Sequence, residues 1–478
     1  MARLIMVSNR VAVPSDSANY AGGLAVGVRS LLKRKGGIWF GWSGTVSVDE
    51  KVTTRTIRQG GLSYIVTDLA AADYQEYYNG FASRVLWPIL HYRLDVAEFS
   101  RRDLSGYRRV SVHFANQIAD WLRSDDVVWV HNYHLIPLAK MLRDRGHRNR
   151  IGFFLHVPFP PPEILTALPN HEWLIPQLAA YDLVGFQTES DATNFARYLE
   201  GECHLQKRGA YTFQSDERTV RIGVFPIGIE TNVFNRLARR SARSPLVHNV
   251  LDSLAGRAMV IGVDRLDYSK GLPQRMDAFE RFLAVYPDWR GKVTYLQITP
   301  KSRSQMQEYA DRERTISEME RTISEVAGRI NGAYGEVAWT PIRYVNRAYS
   351  RIVLAGLYRS ARAALVTPLR DGMNLVAKEY IAAQDPNDPG VLILSRFAGA
   401  AAELTAALLV NPYDPETVAT SLSHALSMSL DERRTRHKAL FHLISENDLK
   451  SWGELFLAAL TKDPDLPLWR EQRRAERL

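Results

Sequence analysis

Short, continuous apolar runs recur along the chain, each followed by a polar or glycine-bearing loop and then by residues with helical spacing. Leu4–Val7, Val127–Val130, Ile151–Leu155, Leu183–Phe186 and Ile222–Pro226 punctuate the first half. Ala258–Val263, Val293–Ile298, Ala363–Thr367 and Val391–Leu394 punctuate the second. Runs that are apolar throughout belong to strands covered on both faces, and helices between them make the sheet parallel. The pattern predicts an α/β chain of two doubly wound, Rossmann-like domains facing across a cleft; all-α and all-β architectures do not produce this alternation. The break falls between Pro226-Ile227-Gly228-Ile229-Glu230 and the run that starts at Ala258, with 236–257 reading as an Arg-, Ser- and Ala-rich linker entering a helix. Domains of 1–240 and 241–450 follow, and 451–478 reads as a helix returning to the N-terminal domain and then a solvated basic tail. Ligands of such sheets sit beyond the carboxyl ends of the strands, so the loops after the runs are where chemistry is sought.

Glu313-Arg-Thr-Ile-Ser-Glu-Met319 is followed at once by Glu320-Arg-Thr-Ile-Ser-Glu-Val326. Seven residues make nearly two helical turns, so the duplication keeps Ile316, Met319, Ile323 and Val326 on one face. It reads as a lengthened surface helix, with a dimerisation face as the alternative.

Length and charge narrow the function. The 478 residues allow two or three domains with cores of their own. Lys plus Arg number 61 and Asp plus Glu 52, a formal +9, which favours anionic partners without naming them. The single cysteine, Cys203, rules out a disulfide within the chain and fits a reducing cytoplasm. No apolar run reaches the roughly 18 residues of a membrane span, and the N-terminus turns polar too early for a signal peptide.

Four loops place cations or glycines where strands should end. After Val7-Ser-Asn-Arg10, Gly22 and Gly23 open a helix near Leu24, and helix N-termini with close backbone approach favour anions. In Arg265-Leu-Asp-Tyr-Ser-Lys270-Gly271, the arginine fork and the lysine point charge suit a diphosphate as well as they suit solvent. In Thr367-Pro-Leu-Arg-Asp371-Gly372-Met373-Asn374, a strand runs into a polar turn and a helix whose Glu379 can accept from ribose hydroxyls or stand as a plain surface carboxylate. Pro300-Lys-Ser-Arg303 is the fourth. His131, His134 and His156 invite a metal reading, but no pair has zincin spacing and no paired cysteines exist. Neither a Gly-x-Ser-x-Gly elbow nor a Walker A ending is present. Cations dispersed over separate loops, with no reader motif, speak against nucleic acid.

In order, these loops resemble those of the trehalose-6-phosphate synthase family, retaining glycosyltransferases of the B-type two-domain fold. The resemblance rests on Val7-Ser-Asn-Arg10, Ala21-Gly-Gly-Leu-Ala-Val26, Trp39-Phe-Gly-Trp-Ser-Gly44, Glu76-Tyr-Tyr-Asn79, Val85-Leu-Trp-Pro88 and His91-Tyr-Arg93. It continues through Gly152-Phe-Phe-Leu-His-Val-Pro-Phe-Pro160, Arg265–Gly271, Val366–Glu379, Phe397-Ala-Gly-Ala400 and Asn411-Pro-Tyr413. It implies transfer of glucose from a nucleotide-glucose, UDP-glucose by preference, to glucose 6-phosphate, giving trehalose 6-phosphate.

By the same resemblance, Arg265 and Lys270 hold the donor diphosphate, Gly22 and Gly23 approach the donor, and Asp371 binds its glucose. Gly372, Met373, Asn374, Leu375, Val376, Ala377, Lys378 and Glu379 carry the rest of the donor contacts, with Tyr349 beside the base. His156 sits at the donor sugar, so His156, Arg265, Lys270 and Asp371 form the catalytic set. Arg10 and Arg303 clamp the acceptor phosphate, and Tyr78, Trp87 and Trp42 shape its pocket. No metal or other cofactor is implied, because the nucleotide-sugar is a substrate and cations cover the diphosphate; a cytoplasmic homo-oligomer (dimer or tetramer) is. One position departs: Asn132 stands where the family usually has aspartate, so the acceptor sugar would meet a neutral amide. Two rival readings share the motifs. One is an enzyme coupling a nucleotide-cyclitol to an aminocyclitol phosphate; the other is a non-catalytic sugar-phosphate-sensing subunit.

Overall fold

A computed structural model describes residues 3–13, 23–47, 52–215, 218–300 and 310–461. Gly22, Arg303 and the basic tail lie outside the described residues. The chain divides into two units, Met1–Ile227 with Lys450–Leu478, and Gly228–Leu449.

The first unit is built on a ten-stranded sheet. Its strands are β1 (Leu4–Arg10), β2 (Gly37–Ser47), β3 (Thr54–Gln59), β4 (Leu62–Ala70), β5 (Val127–His131), β6 (Arg150–Phe154), β7 (Leu183–Phe186), β8 (Gln206–Gly209), β9 (Thr212–Ser215) and β10 (Arg218–Val224). The order is β3-β4-β2-β1-β5-β6-β7-β10-β9-β8, parallel from β4 through to β10. β3 and β9 run antiparallel to their neighbours. The five apolar runs read from the first half are β1, β5, β6, β7 and β10. β3 and β8 escape that reading because exposed edge strands are polar, and charge on an edge discourages pairing with other chains.

The second unit holds six parallel strands: β11 (Ala258–Val263), β12 (Val293–Ile298), β13 (Ile342–Val345), β14 (Ala363–Val366), β15 (Val391–Ser395) and β16 (Leu408–Val410). Their order, β13-β12-β11-β14-β15-β16, is the doubly wound order whose direction reverses between the first and fourth strands. In the first unit the reversal falls between β1 and β5, where Ser8 and His131 are Cα partners. Both reversals leave a crevice at the strands' carboxyl ends, and in the second unit the loops bearing Arg265, Lys270 and Asp371 emerge there.

The stretch 236–257 is not a linker. It is the end of one helix, Thr231–Ser241, and a second helix, Pro245–Ser253. Thr231 Oγ1 donates to the Ile444 carbonyl at 2.8 Å and Asn235 Nδ2 to the Ala382 carbonyl at 2.8 Å, which ties the first of them into the second unit. The division therefore falls at Ile227 rather than near 240. At Gly228 a Cβ would stand 2.1 Å from the Asn447 carbonyl oxygen, so only glycine lets the segments on either side pass.

The helix Leu449–Thr461 lays Trp452 and Phe456 on the first unit's sheet. Phe456 stacks on Trp129 at 4.1 Å, and Arg221 Nη2 donates to the Ala459 carbonyl at 2.6 Å. The duplicated heptad lies in the helix Ala310–Tyr334. Ile323 is fully buried and Met319 and Val326 pack partly buried on the second unit's own core, so these three residues serve that core.

Candidate active site

At the reversal point of the second unit, Lys270 and Asp371 meet. The loop after β11 closes in a short 3-10 turn whose start is capped by Asp267, accepting from the Ser269 N–H at 2.8 Å. Gly271 follows at φ +63, where a Cβ would crowd Leu369, and the helix Leu272–Val285 begins. This turn buries Lys270 and directs Nζ to Asp371 Oδ2 at 2.6 Å. Asn374 Nδ2 donates to the same oxygen at 3.1 Å, and the Gly372 N–H donates to Asp371 Oδ1 at 3.0 Å. Asn374, at φ +69, caps the helix Leu375–Ala383 and accepts from the Ala377 N–H at 3.4 Å. The helix thus presents its first turn at the carboxyl end of β14, where N–H groups favour an anion. Arg265 projects from the loop after β11 and is exposed.

Glu379 sits one turn further along that helix. Arg351 Nε lies 3.7 Å from its Oε1, while another nitrogen of the same guanidinium lies 3.9 Å from Glu230. Burial pushes the Glu379 carboxyl up to about 7, with Arg351 opposing. Tyr349 lies partly exposed in the loop just before Arg351.

The first unit assembles an aromatic and cationic counterpart at the ends of β1 and β5. Tyr74–Leu86 winds as a π-helix, an i→i+5 form that is rare at any length and concentrates at functional sites. It places Tyr78 5.9 Å from His134, 5.5 Å from Tyr74 and 5.7 Å from Trp42. The Arg10 guanidinium lies 5.8 Å from the Trp42 ring. Gly44, at φ +91, lets the backbone approach Arg10, since a Cβ there would stand 2.7 Å from Nη2. Trp87 packs on His91 at 4.0 Å. Asn132 has φ +74 and ψ 163, a region otherwise kept for glycine, and its buried Oδ1 has no partner. His131 Nδ1 lies 3.0 Å from His156 Nε2. Burial pushes His134 and His156 down to about 3, so both are neutral near pH 7.

The sequence profile of glycosyltransferase family 20 matches residues 4–462. The chain belongs to glycosyltransferase family 20.

Its relatives agree over their whole lengths. A trehalose-6-phosphate synthase of Sinorhizobium fredii (strain NBRC 101917 / NGR234) is 52% identical over 468 residues, 97% of this chain and 99% of its own. The UDP-forming alpha,alpha-trehalose-phosphate synthase of Burkholderia xenovorans, solved in complex with glucose-6-phosphate, matches with TM-score 0.91 and 45% identity, covering 96% of this chain and 100% of its own. The Escherichia coli protein bound with UDP-2-fluoro glucose matches with TM-score 0.90 and 44% identity, covering 98% and 100%.

Within this family 20 chain, the expected residues fall into two groups by unit. Lys270, Asp371, Gly372 and Asn374 form one hydrogen-bonded knot, with Met373 buried behind it, Leu375 and Val376 partly exposed on the first helical turn, and Arg265 exposed nearby. Arg10, Trp42, Tyr78, Trp87, Asn132 and His156 belong to the first unit, and Gly23 opens its helix Gly23–Lys35. Two residues differ from their expected use. Lys378 is fully buried with Nζ on Glu403 at 2.7 Å, so its ammonium faces inward. Ala377 is buried, and its N–H is taken by the Asn374 cap.

Sequence reasoning missed Arg275, which is 1% exposed. Its guanidinium pairs with Asp264, and it donates to Thr367 Oγ1 at 2.9 Å, to Gln297 Oε1 at 3.1 Å and to the Lys270 carbonyl at 3.2 Å. One arginine thereby ties the ends of β11, β12 and β14 to the Lys270 loop. A charge inside a helix offers no signal of this in one sequence. Trp452 was missed because its neighbours lie some 300 residues away in the chain.

Proposed function

We propose that this chain is a retaining glucosyltransferase that moves glucose from UDP-glucose to glucose 6-phosphate, forming trehalose 6-phosphate and UDP. The observation that carries the reading is the knot of Lys270, Asp371 and Asn374 at the second unit's reversal point, beside exposed Arg265. The second unit supplies most of the donor contacts and the first most of the acceptor contacts. Arg265 and Lys270 take the diphosphate, Leu375, Val376 and Glu379 the nucleoside with Tyr349 beside its base, and Asp371 the glucose hydroxyls. Arg10, with Arg303, holds the acceptor phosphate, and Tyr78, Trp87, Trp42 and Asn132 enclose the sugar.

As the bond from the donor carbon to the diphosphate oxygen breaks, negative charge grows on the leaving group and the sugar becomes oxocarbenium-like. Cations fixed in advance stabilise that charge without reorganising, which lowers the barrier with no protein nucleophile. The acceptor hydroxyl forms the new bond on the face the diphosphate leaves, and its proton passes to a diphosphate oxygen. His156, held neutral by burial, contributes a hydrogen bond at the donor sugar rather than a charge.

Among the described residues no helix is long and apolar enough to cross a membrane, and no three metal-ligating side chains cluster. Reaction without a metal is part of the proposal, and retention of activity in chelator checks it. A single cysteine, Cys203, suits a reducing cytoplasm. A dimer or tetramer follows the resemblance and is read by sedimentation.

The deciding experiment measures nucleoside diphosphate release from UDP-, GDP- and ADP-glucose with glucose 6-phosphate. UDP release with trehalose 6-phosphate as product is expected, and Arg265→Ala should lower kcat by about a hundredfold or more, the scale of one lost transition-state contact. No release from any donor refutes the reading. Release only with a cyclitol phosphate acceptor points to the pseudo-disaccharide enzyme, and binding without release to a sensing subunit.

A further inference from the structure

The His131–His156 contact has a direction that the surroundings determine. His131 is 0% exposed. Trp129 of its own strand lies 4.8 Å away and Trp452 of the C-terminal helix 6.2 Å away. His156 is walled by Phe154 at 4.7 Å and by the same Trp452 at 6.0 Å. Among the described residues, the one titratable group that bears on His131 is His156, and only burial bears on His156. With no carboxylate to steady an imidazolium, both rings stay neutral.

Two neutral imidazoles carry one N–H each, and one of these must lie along the 3.0 Å contact. The far nitrogen of His131, Nε2, is buried without a partner. Were His156 the donor, that nitrogen would carry a stranded N–H. Were His131 the donor, it would carry only a lone pair. The two rings beside His131, Trp129 and Trp452, each already hold a buried indole N–H without a partner among the described residues, so an N–H on Nε2 would add a third stranded donor where a lone pair adds an acceptor.

We infer that His131 is a positioning residue: its Nδ1–H donates to His156 Nε2 and so fixes His156 as the Nδ1–H tautomer. His156 is then a standing hydrogen-bond donor and cannot act as a base. Trp452, arriving from the far end of the chain, closes the cage that keeps both rings uncharged. The catalytic meaning rests on the placement of His156 at the donor sugar proposed above; the tautomer does not.

The test uses the full chain, uniformly labelled with 15N-histidine, between pH 6 and 8. His131 and His156 should both show a protonated Nδ1 and an unprotonated Nε2, with no titration across the range. A protonated His156 Nε2, or either ring titrating, overturns the inference. In activity, His131→Phe should lower kcat about tenfold with the KM for UDP-glucose nearly unchanged, the scale of one neutral hydrogen bond. His131→Asn, whose amide N–H can take the place of Nδ1–H, should recover most of that loss. If Asn and Phe are equally impaired although both fold, His131 does not position His156. If neither folds, the wild-type spectrum alone decides. A spectrum as expected from a chain that releases no UDP would remove the functional reading and support the tautomer.

Discussion

Asn132 holds a strained backbone and an unpartnered carbonyl oxygen at the same point. Strain of this kind costs on the order of 1–3 kcal/mol and persists where the surroundings impose it. Here the Asn132 N–H donates to the Phe154 carbonyl at 2.8 Å, and the neighbouring rings of Tyr133 and His134 are buried. In the acceptor reading, the sugar supplies the missing donor. Asn132→Asp then has two effects of opposite sign. Without ligand, a carboxylate oxygen would replace an already unpartnered amide oxygen, and the melting temperature should fall. With glucose 6-phosphate, a charged hydrogen bond replaces a neutral one, worth about 1 kcal/mol more, so affinity should rise about fivefold. Calorimetric titration and a thermal melt with and without ligand read both. Equal melting shifts for the two proteins would show that Asn132 does not touch the acceptor.

Elements were legible where their chemistry was local. β11 and β14 announce themselves as apolar runs ending in Arg265-Leu-Asp and Thr367-Pro-Leu-Arg-Asp, and the structure brings Lys270 and Asp371 together from those two loops. The π-helix was not legible. Nothing in Tyr74–Leu86 marks it in the sequence, and it shows only in the folded backbone, where Tyr77 and Phe81 pack on Tyr107 and Phe114. The C-terminal helix was visible as a helix, yet the glycines that receive it show only in space. At Gly152 and Gly185 a Cβ would stand 2.8 and 2.7 Å from Phe456. Small residues on two neighbouring strands thus make a socket for one aromatic side chain. Emptying it by Phe456→Ala should destabilise the first unit by about 3–5 kcal/mol, the usual scale for a buried phenylalanine. Chemical denaturation of the full chain measures this, and a loss below 1 kcal/mol would mean that the helix is held elsewhere.

At the scale of the molecule, the buried histidines of the first unit and the buried Glu379 of the second respond to acid in opposite directions. In the first unit, burial holds His134 and His156 down to about 3 and His131 well below its ordinary value. The unfolded chain binds protons on these rings below about pH 6.5 and the folded unit does not. Stability is therefore full above 6.5 and is lost as pH falls toward 3, by up to about 1.4 kcal/mol per pH unit for each histidine. In the second unit, Glu379 is raised to about 7 and Asp264 is raised by burial against the pull of Arg275. The folded unit binds these protons more tightly than the unfolded chain. The contribution of Glu379 is fully present below the unfolded carboxylate range, about 4, and is lost as pH rises through 7. Between pH 7 and 5 the first unit should weaken while Glu379 makes its own helix firmer, against the opposing effect of His437, which burial lowers beside the Ile381 carbonyl. Hydrogen exchange resolved by peptide should show faster exchange at pH 5, after correction for the intrinsic rate, in β5, β6 and the C-terminal helix, and slower exchange in the helix Leu375–Ala383. Parallel loss in both units would mean that surface carboxylates, paired throughout with the excess arginines, outweigh the buried groups.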